Sequence, residues 1–131
     1  MLQALKIFAR GYIKAYNDKL EIIYENHNAV QPLAKEAVSK LLAQRLEYAP
    51  AFIELFTNNV SQGKYPITTT TIVDSNTISY SILVPPNNPV TLIDTLNLIT
   101  GTNGVFSIST GLALTKPANQ NILITWTLNI I

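Results

Sequence analysis

The chain has no cysteine, which excludes disulfides, thiolate catalysis and any cysteine-based zinc site. The same absence leaves the redox compartment open. Charge is scarce: Asp, Glu, Lys and Arg make up 13% of the 131 residues, about half the share usual in a folded domain. The formal net charge of +1 supplies no long-range pull towards nucleic acid or anionic lipid. No run of about 18 uncharged apolar residues occurs, so no membrane-spanning helix is expected. Lys6 and Arg10 interrupt the apolar start, which does not match a secretory signal peptide.

What remains is apolar and neutral. Hydrophobic residues reach 47%, enough for a sizeable core in one compact unit. Thr, Asn, Ser and Gln must supply much of the surface. Neutral hydroxyls and amides are stripped of water at lower cost than charges, so such a surface favours contact with partners. The charges are also unevenly placed. From Tyr65 onward only Asp74, Asp94 and Lys116 are charged. This asymmetry sets an organisational boundary near Ser61-Gln62-Gly63-Lys64-Tyr65-Pro66, dividing a region 1–62 from a Thr/Asn-rich region 63–131.

The spacing of Leu2, Leu5, Ala9, Tyr12, Tyr16, Leu20 and Ile23 predicts a helix over about 3–25, weakened by Gly11. Ala34, Val38, Leu41, Leu42, Leu46, Ala49, Ile53, Phe56 and Val60 predict a second helix, begun near Pro32 and kinked at Pro50. After residue 63 the period falls to two. Thr68–Val73, then Ile78, Tyr80, Ile82 and Val84, read as strands around a turn at Asp74-Ser75-Asn76. Further strands are expected over 90–98, 105–114 and 122–131, with a tight turn at Gly101-Thr102-Asn103-Gly104. In the last, Ile122, Ile124, Trp126, Leu128 and Ile130 should face the core, with Thr125, Thr127 and Asn129 opposite. The expected class is α+β: two helices, then a mainly antiparallel sheet of about five strands.

Chemistry is harder to find. His27, the single histidine, sits in Asn-His-Asn and reads as a solvated turn residue. A triad of His27 with Ser107 or Ser109 and Asp94 has no supporting spacing, and no nucleophile elbow is present. Asp94 is an oddity among Val90, Leu92, Leu96 and Leu98, best read as an edge position or a polar contact to another subunit, with a catalytic carboxylate as the lesser alternative. No catalytic, cofactor or metal site is expected. Lys6, Arg10 and Lys14 recur every four residues and make a candidate basic stripe for DNA or lipid headgroups, against the plainer reading of a solvated flank.

The stretch Leu92-Ile93-Asp94-Thr95-Leu96-Asn97-Leu98, a Gly turn, Leu112 to Lys116-Pro117 and the ending Ile124-Thr125-Trp126-Thr127-Leu128 resembles the C-terminal β-module of some small viral tail proteins. Length, lack of cysteine and Thr/Asn/Ile richness are similar to virion proteins of the spindle-shaped archaeal viruses, the fuselloviruses. The resemblance implies a structural tail or portal-proximal adaptor, assembled as a ring, joining capsid to tail components. No functional residue is carried over by it.

The sequence thus leads to a non-enzymatic virion protein that forms a homo-oligomer and binds other tail or capsid proteins, without cofactor or small-molecule substrate. Its contacts are expected at edge strands, 67–73 or 122–131, with Thr125, Thr127 and Asn129 as a candidate interface. A pilus or surface-filament subunit is one alternative, because a helix followed by a sheet is also pilin-like. A small DNA-binding module using Lys6, Arg10 and Lys14 is the other.

Overall fold

The computed structural model describes residues 9–29 and 45–130, and their fold is a β-sandwich. Eleven strands run in chain order. They are β1 (Ala9–Tyr16), β2 (Ile22–Ala29), β3 (Pro50–Thr57), β4 (Val60–Pro66), β5 (Thr69–Asp74) and β6 (Thr77–Val84). The short β7 (Leu92–Ile93) follows, then β8 (Thr95–Thr100), β9 (Val105–Ser109), the short β10 (Leu114–Thr115) and β11 (Ile122–Ile130). One sheet has the order β2-β1-β11-β6-β5, the other β4-β3-β8-β9, and β10 pairs with β7. Every pairing is antiparallel.

The expected helices are absent from the described residues, so the α+β expectation is corrected to all-β. Residues 9–25 of the predicted first helix lie in the β1–β2 hairpin, which runs on to Ala29. The predicted second helix is overturned from residue 45 on, where a single 3-10 turn, Leu46–Tyr48, precedes β3. Its earlier part and residues 3–8 lie outside the described residues. Pro50 kinks nothing; it opens β3, a position where a missing N–H is tolerated. The physical reason is that a spacing of four lands on one face in both a helix and a strand. Tyr12 and Tyr16 satisfy either period. Gly11, Ile13 and Ala15, all buried, settle the matter in favour of period two. The hairpin tip is closed by Asn17, whose Oδ1 accepts the N–H groups of Lys19 and Glu21 at 3.0 and 2.9 Å.

The boundary near residue 62 falls inside β4, and the described residues of region 1–62 form strands and one 3-10 turn. The β3–β4 hairpin turns at Asn58-Asn59, with φ of 49° and 64°. Both central residues take positive φ, as the tight hairpin turn that matches strand twist requires, and Asn tolerates this better than most residues.

The second half follows the period-two pattern closely. β5 and β6 flank the turn at Ser75-Asn76, and β8 and β9 flank 101–104. The expected strand over 90–98 is broken at Asp94 into β7 and β8, and that over 105–114 into β9 and β10. The core lies between the two sheets. Ile13 and Ala15, Tyr80, Ile82 and Val84, and Ile122, Ile124, Trp126 and Leu128 come from the larger sheet; Ile53, Leu55, Leu96 and Leu98 come from the smaller. Ile93, Leu112 and Leu114 close one end. Burying each such aliphatic side chain contributes about 1.5–3 kcal/mol.

Candidate functional site

The register of the larger sheet places its outward residues in continuous rows. One row reads Thr69, Ser81, Thr125, Lys14, Glu25, and the next Thr71, Ser79, Thr127, Tyr12. A third, at the end of the sheet, is apolar: Leu83, Leu123, Tyr16, Ile22. The hydroxyls of β6 and β11 bond each other across the strands, Ser79 to Thr127 at 2.9 Å and Ser81 to Thr125 at 3.1 Å. Asn129 Nδ2 donates to Thr77 Oγ1 at 3.2 Å.

These bonds place the candidate interface residues. Thr125, Thr127 and Asn129 sit on β11, between β1 and β6, in the middle of the sheet. Thr127 is only 4% exposed, and Thr125 and Asn129 are half-buried. The expectation that 122–131 is an edge strand is therefore corrected: both its edges are occupied. Its backbone groups are spent on neighbours within the chain.

The true edges of this sheet are β2 and β5, and β5 is the barer. All six of its residues are exposed, Ile72 by 76% and Val73 by 60%. It pairs with β6 from Thr69↔Ser81 to Ile72↔Ile78, and a bulge at Val73 precedes Asp74↔Thr77. In an antiparallel ladder every second residue of an edge strand turns its N–H and C=O away from its one neighbour. Proteins normally blunt such an edge with charge, proline or a covering loop. Here the only charge is Asp74 at the end, no proline is present, and the bulge also lies at the end.

The basic stripe is not assembled as a helix flank. Lys6 lies outside the described residues. Arg10 and Lys14 lie on β1, four positions and about 13 Å apart along the strand. Lys14 is half-buried, its Nζ 5.8 Å from the Tyr12 ring centroid, and Glu25 stands across from it in register. His27 is not a turn residue; it lies within β2, opposite Tyr12.

Asp94 is fully engaged inside the chain. Its N–H donates to Phe56 O at 3.0 Å and its C=O accepts Leu112 N–H at 2.9 Å. Its carboxylate accepts the N–H of Asn58 at 2.8 Å and the hydroxyl of Thr95 at 3.0 Å. It is neither an edge residue nor a free carboxylate; it joins β3, β8 and the loop before β10. Ser107 and Ser109 are buried on β9. No group of three or more His, Cys, Asp or Glu side chains suited to a metal ion occurs among the described residues. No described helix is long and apolar enough to cross a membrane.

Sequence reasoning missed one further residue. Lys116 is 1% exposed, and among the described residues its Nζ bonds the adjacent Pro117 carbonyl alone, at 3.4 Å. Its place after Leu114-Thr115 and before Pro117 read as a connection, and nothing local signals burial. Neither a family model, nor a curated protein, nor a solved structure matches the chain.

Proposed function

We propose that the chain is a non-enzymatic structural subunit of a virus particle, a tail or portal-proximal adaptor. It assembles with copies of itself into a ring and connects capsid to tail proteins. The observation that carries the assembly reading is β5: an edge strand, exposed along its whole length, whose one charge stands at its end. Main-chain bonds from such an edge give affinity, and alternate side chains give specificity. The neutral Thr/Ser/Asn surface supports the same reading, because little charge must be desolvated when a partner lands.

The filament reading loses its basis, because residues 9–29 are a hairpin and no helix precedes the sheet among the described residues. Light scattering coupled to size exclusion, with negative-stain images of the same peak, tests the proposal. Closed particles of one stoichiometry are expected. A protein that stays monomeric on concentration overturns it.

A further inference from the structure

We infer that the partner of β5 is the β5 of a second copy, paired antiparallel about a two-fold axis at Ile72. The inference rests on the assembly reading above and names the contact it uses. A two-fold perpendicular to the sheet keeps the core-facing sides of both sheets on the same side. Opposed residues must then share a face, so the axis passes through a residue rather than between two. At Ile72, the two Ile72 side chains meet across the axis, on the side where each already stands opposite Ile78 of its own β6. This makes one apolar row, Ile78, Ile72, Ile72 of the copy, Ile78 of the copy. It covers the most exposed apolar side chain of the strand, at 76%.

Charge agrees with this register. The two Asp74 side chains lie on either side of the axis, beyond the bulge at Val73 in each copy, so the carboxylates are not opposed, and like charges directly opposite would disfavour pairing. An axis at Thr71 instead sets Ile72 against Thr70 and leaves the apolar side chain beside a hydroxyl. Such a contact is isologous and closes on two subunits. A ring would use this pair as its repeating unit and join pairs through a different surface.

The absence of cysteine makes the test direct. Single substitutions Thr70→Cys, Thr71→Cys, Ile72→Cys and Asp74→Cys are made in the full chain and oxidised at the working concentration. Residues opposed across an antiparallel pair have Cα atoms about 4.5–5.5 Å apart, within the reach of a disulfide. Positions 70 and 74 stand about 13 Å from their own copies along the strand, beyond that reach. The expected result is a disulfide-linked dimer in high yield for Ile72→Cys, with several-fold less at the other three. Ile72→Lys should halve the scattering mass or more.

Dominant linkage at 70, 71 or 74, or equal linkage at all four, overturns the inference. An assembly seen by light scattering that links at none of them, and survives Ile72→Lys, overturns it while leaving the assembly reading intact. A monomer under all conditions overturns both.

Discussion

The carboxylate of Asp94 accepts the backbone N–H of Asn58 at 2.8 Å, holding the β3–β4 turn from a position 36 residues further along the chain. The second carboxylate oxygen takes the Thr95 hydroxyl. Asn58 and Asn59 both adopt positive φ, so the turn needs an external anchor more than an ordinary one does. Replacing Asp94 by Ala removes two charge-assisted acceptors, and about 2–3 kcal/mol of stability should go with them. Asp94→Asn should recover part of it, since one amide oxygen still accepts. Chemical denaturation of the two variants checks the order; equal losses would mean that a neutral acceptor at this position contributes nothing, and an Asp94→Asn variant as stable as the parent would mean that the charge contributes nothing.

A second prediction concerns Gly63, the bulge position between β3 and β4. Its φ is 131°, and a Cβ built there meets the Tyr65 ring at 2.8 Å. The ring is not free to swing aside, because its hydroxyl is bonded by Asn88 Nδ2, which also donates to Gln62 O at 2.8 Å. Gly63→Ala should therefore cost about 2–3 kcal/mol, combining a disfavoured φ with a steric clash. The double variant with Tyr65→Ala relieves the clash but not the backbone strain. Thermal melts of the single and double variants separate the two contributions.

Tyr80 gives stability a dependence on pH at the alkaline end. Burial raises its phenol from the ordinary 10.0 to about 12. Below pH 10 both folded and unfolded chains hold the proton, and the full stability is present. Between pH 10 and about 12 the unfolded chain loses the proton while the folded one keeps it, so stability falls. The loss attributable to this group is on the order of 2 kcal/mol. Tyr80→Phe should flatten that part of the profile. Melting temperatures of both proteins, followed across that window beside tyrosinate absorbance, show whether the slope belongs to Tyr80.

The strands after residue 68 were legible because Thr68–Thr71 and Val73 are β-branched, and Ile78–Val84 and Ile122–Leu128 alternate between core and outward face. The first sixty residues were not, and Tyr12, Tyr16 and Leu20 show why. Their spacing of four fits a helix, while the decisive buried set, Gly11, Ile13 and Ala15, contains two residues too small to register as hydrophobic pattern. Asn58-Asn59 was the overlooked turn signal, placed between Phe56-Thr57 and Val60. Asp94 breaks its strand because two ladders meet there, and the apolar phase changes: Ile93 is buried while Leu92 is exposed. Edge identity was illegible for a different reason. Whether β11 is central depends on β1 and β6, which lie more than a hundred and about forty residues away. No local pattern encodes such pairings.

Lys116 supplies a prediction opposite in sign to the others. An ammonium group taken from water with one long hydrogen bond, 3.4 Å to Pro117 O, is poorly compensated, and no carboxylate pairs with it among the described residues. A buried charge in that state opposes folding. Lys116→Met keeps the length of the aliphatic stem and removes the charge. It should raise stability by about 1–2 kcal/mol. A lower midpoint in denaturant would mean that the ammonium has a use this geometry does not account for.

The two faces of β11 can be told apart by lysine. Ile124 is fully buried between the sheets, and a lysine there has no path to water; Ile124→Lys should cost at least about 4 kcal/mol and abolish folded protein. Thr127 is also nearly buried, at 4%, but on the outward face, held by Ser79 Oγ at 2.9 Å. A lysine there loses that bond yet can run its stem along Tyr12 and Ser79 and keep its head in water. Thr127→Lys should lower stability moderately, by about 1–2 kcal/mol, and still give a folded protein. The β5 contact lies two strands away from Thr127, so this variant should assemble as the parent does. Circular dichroism and light scattering on the same samples check both statements. If Thr127→Lys unfolds like Ile124→Lys, the outward face is a packed interior surface. If it folds but no longer assembles, the contact runs across the sheet face and not along β5.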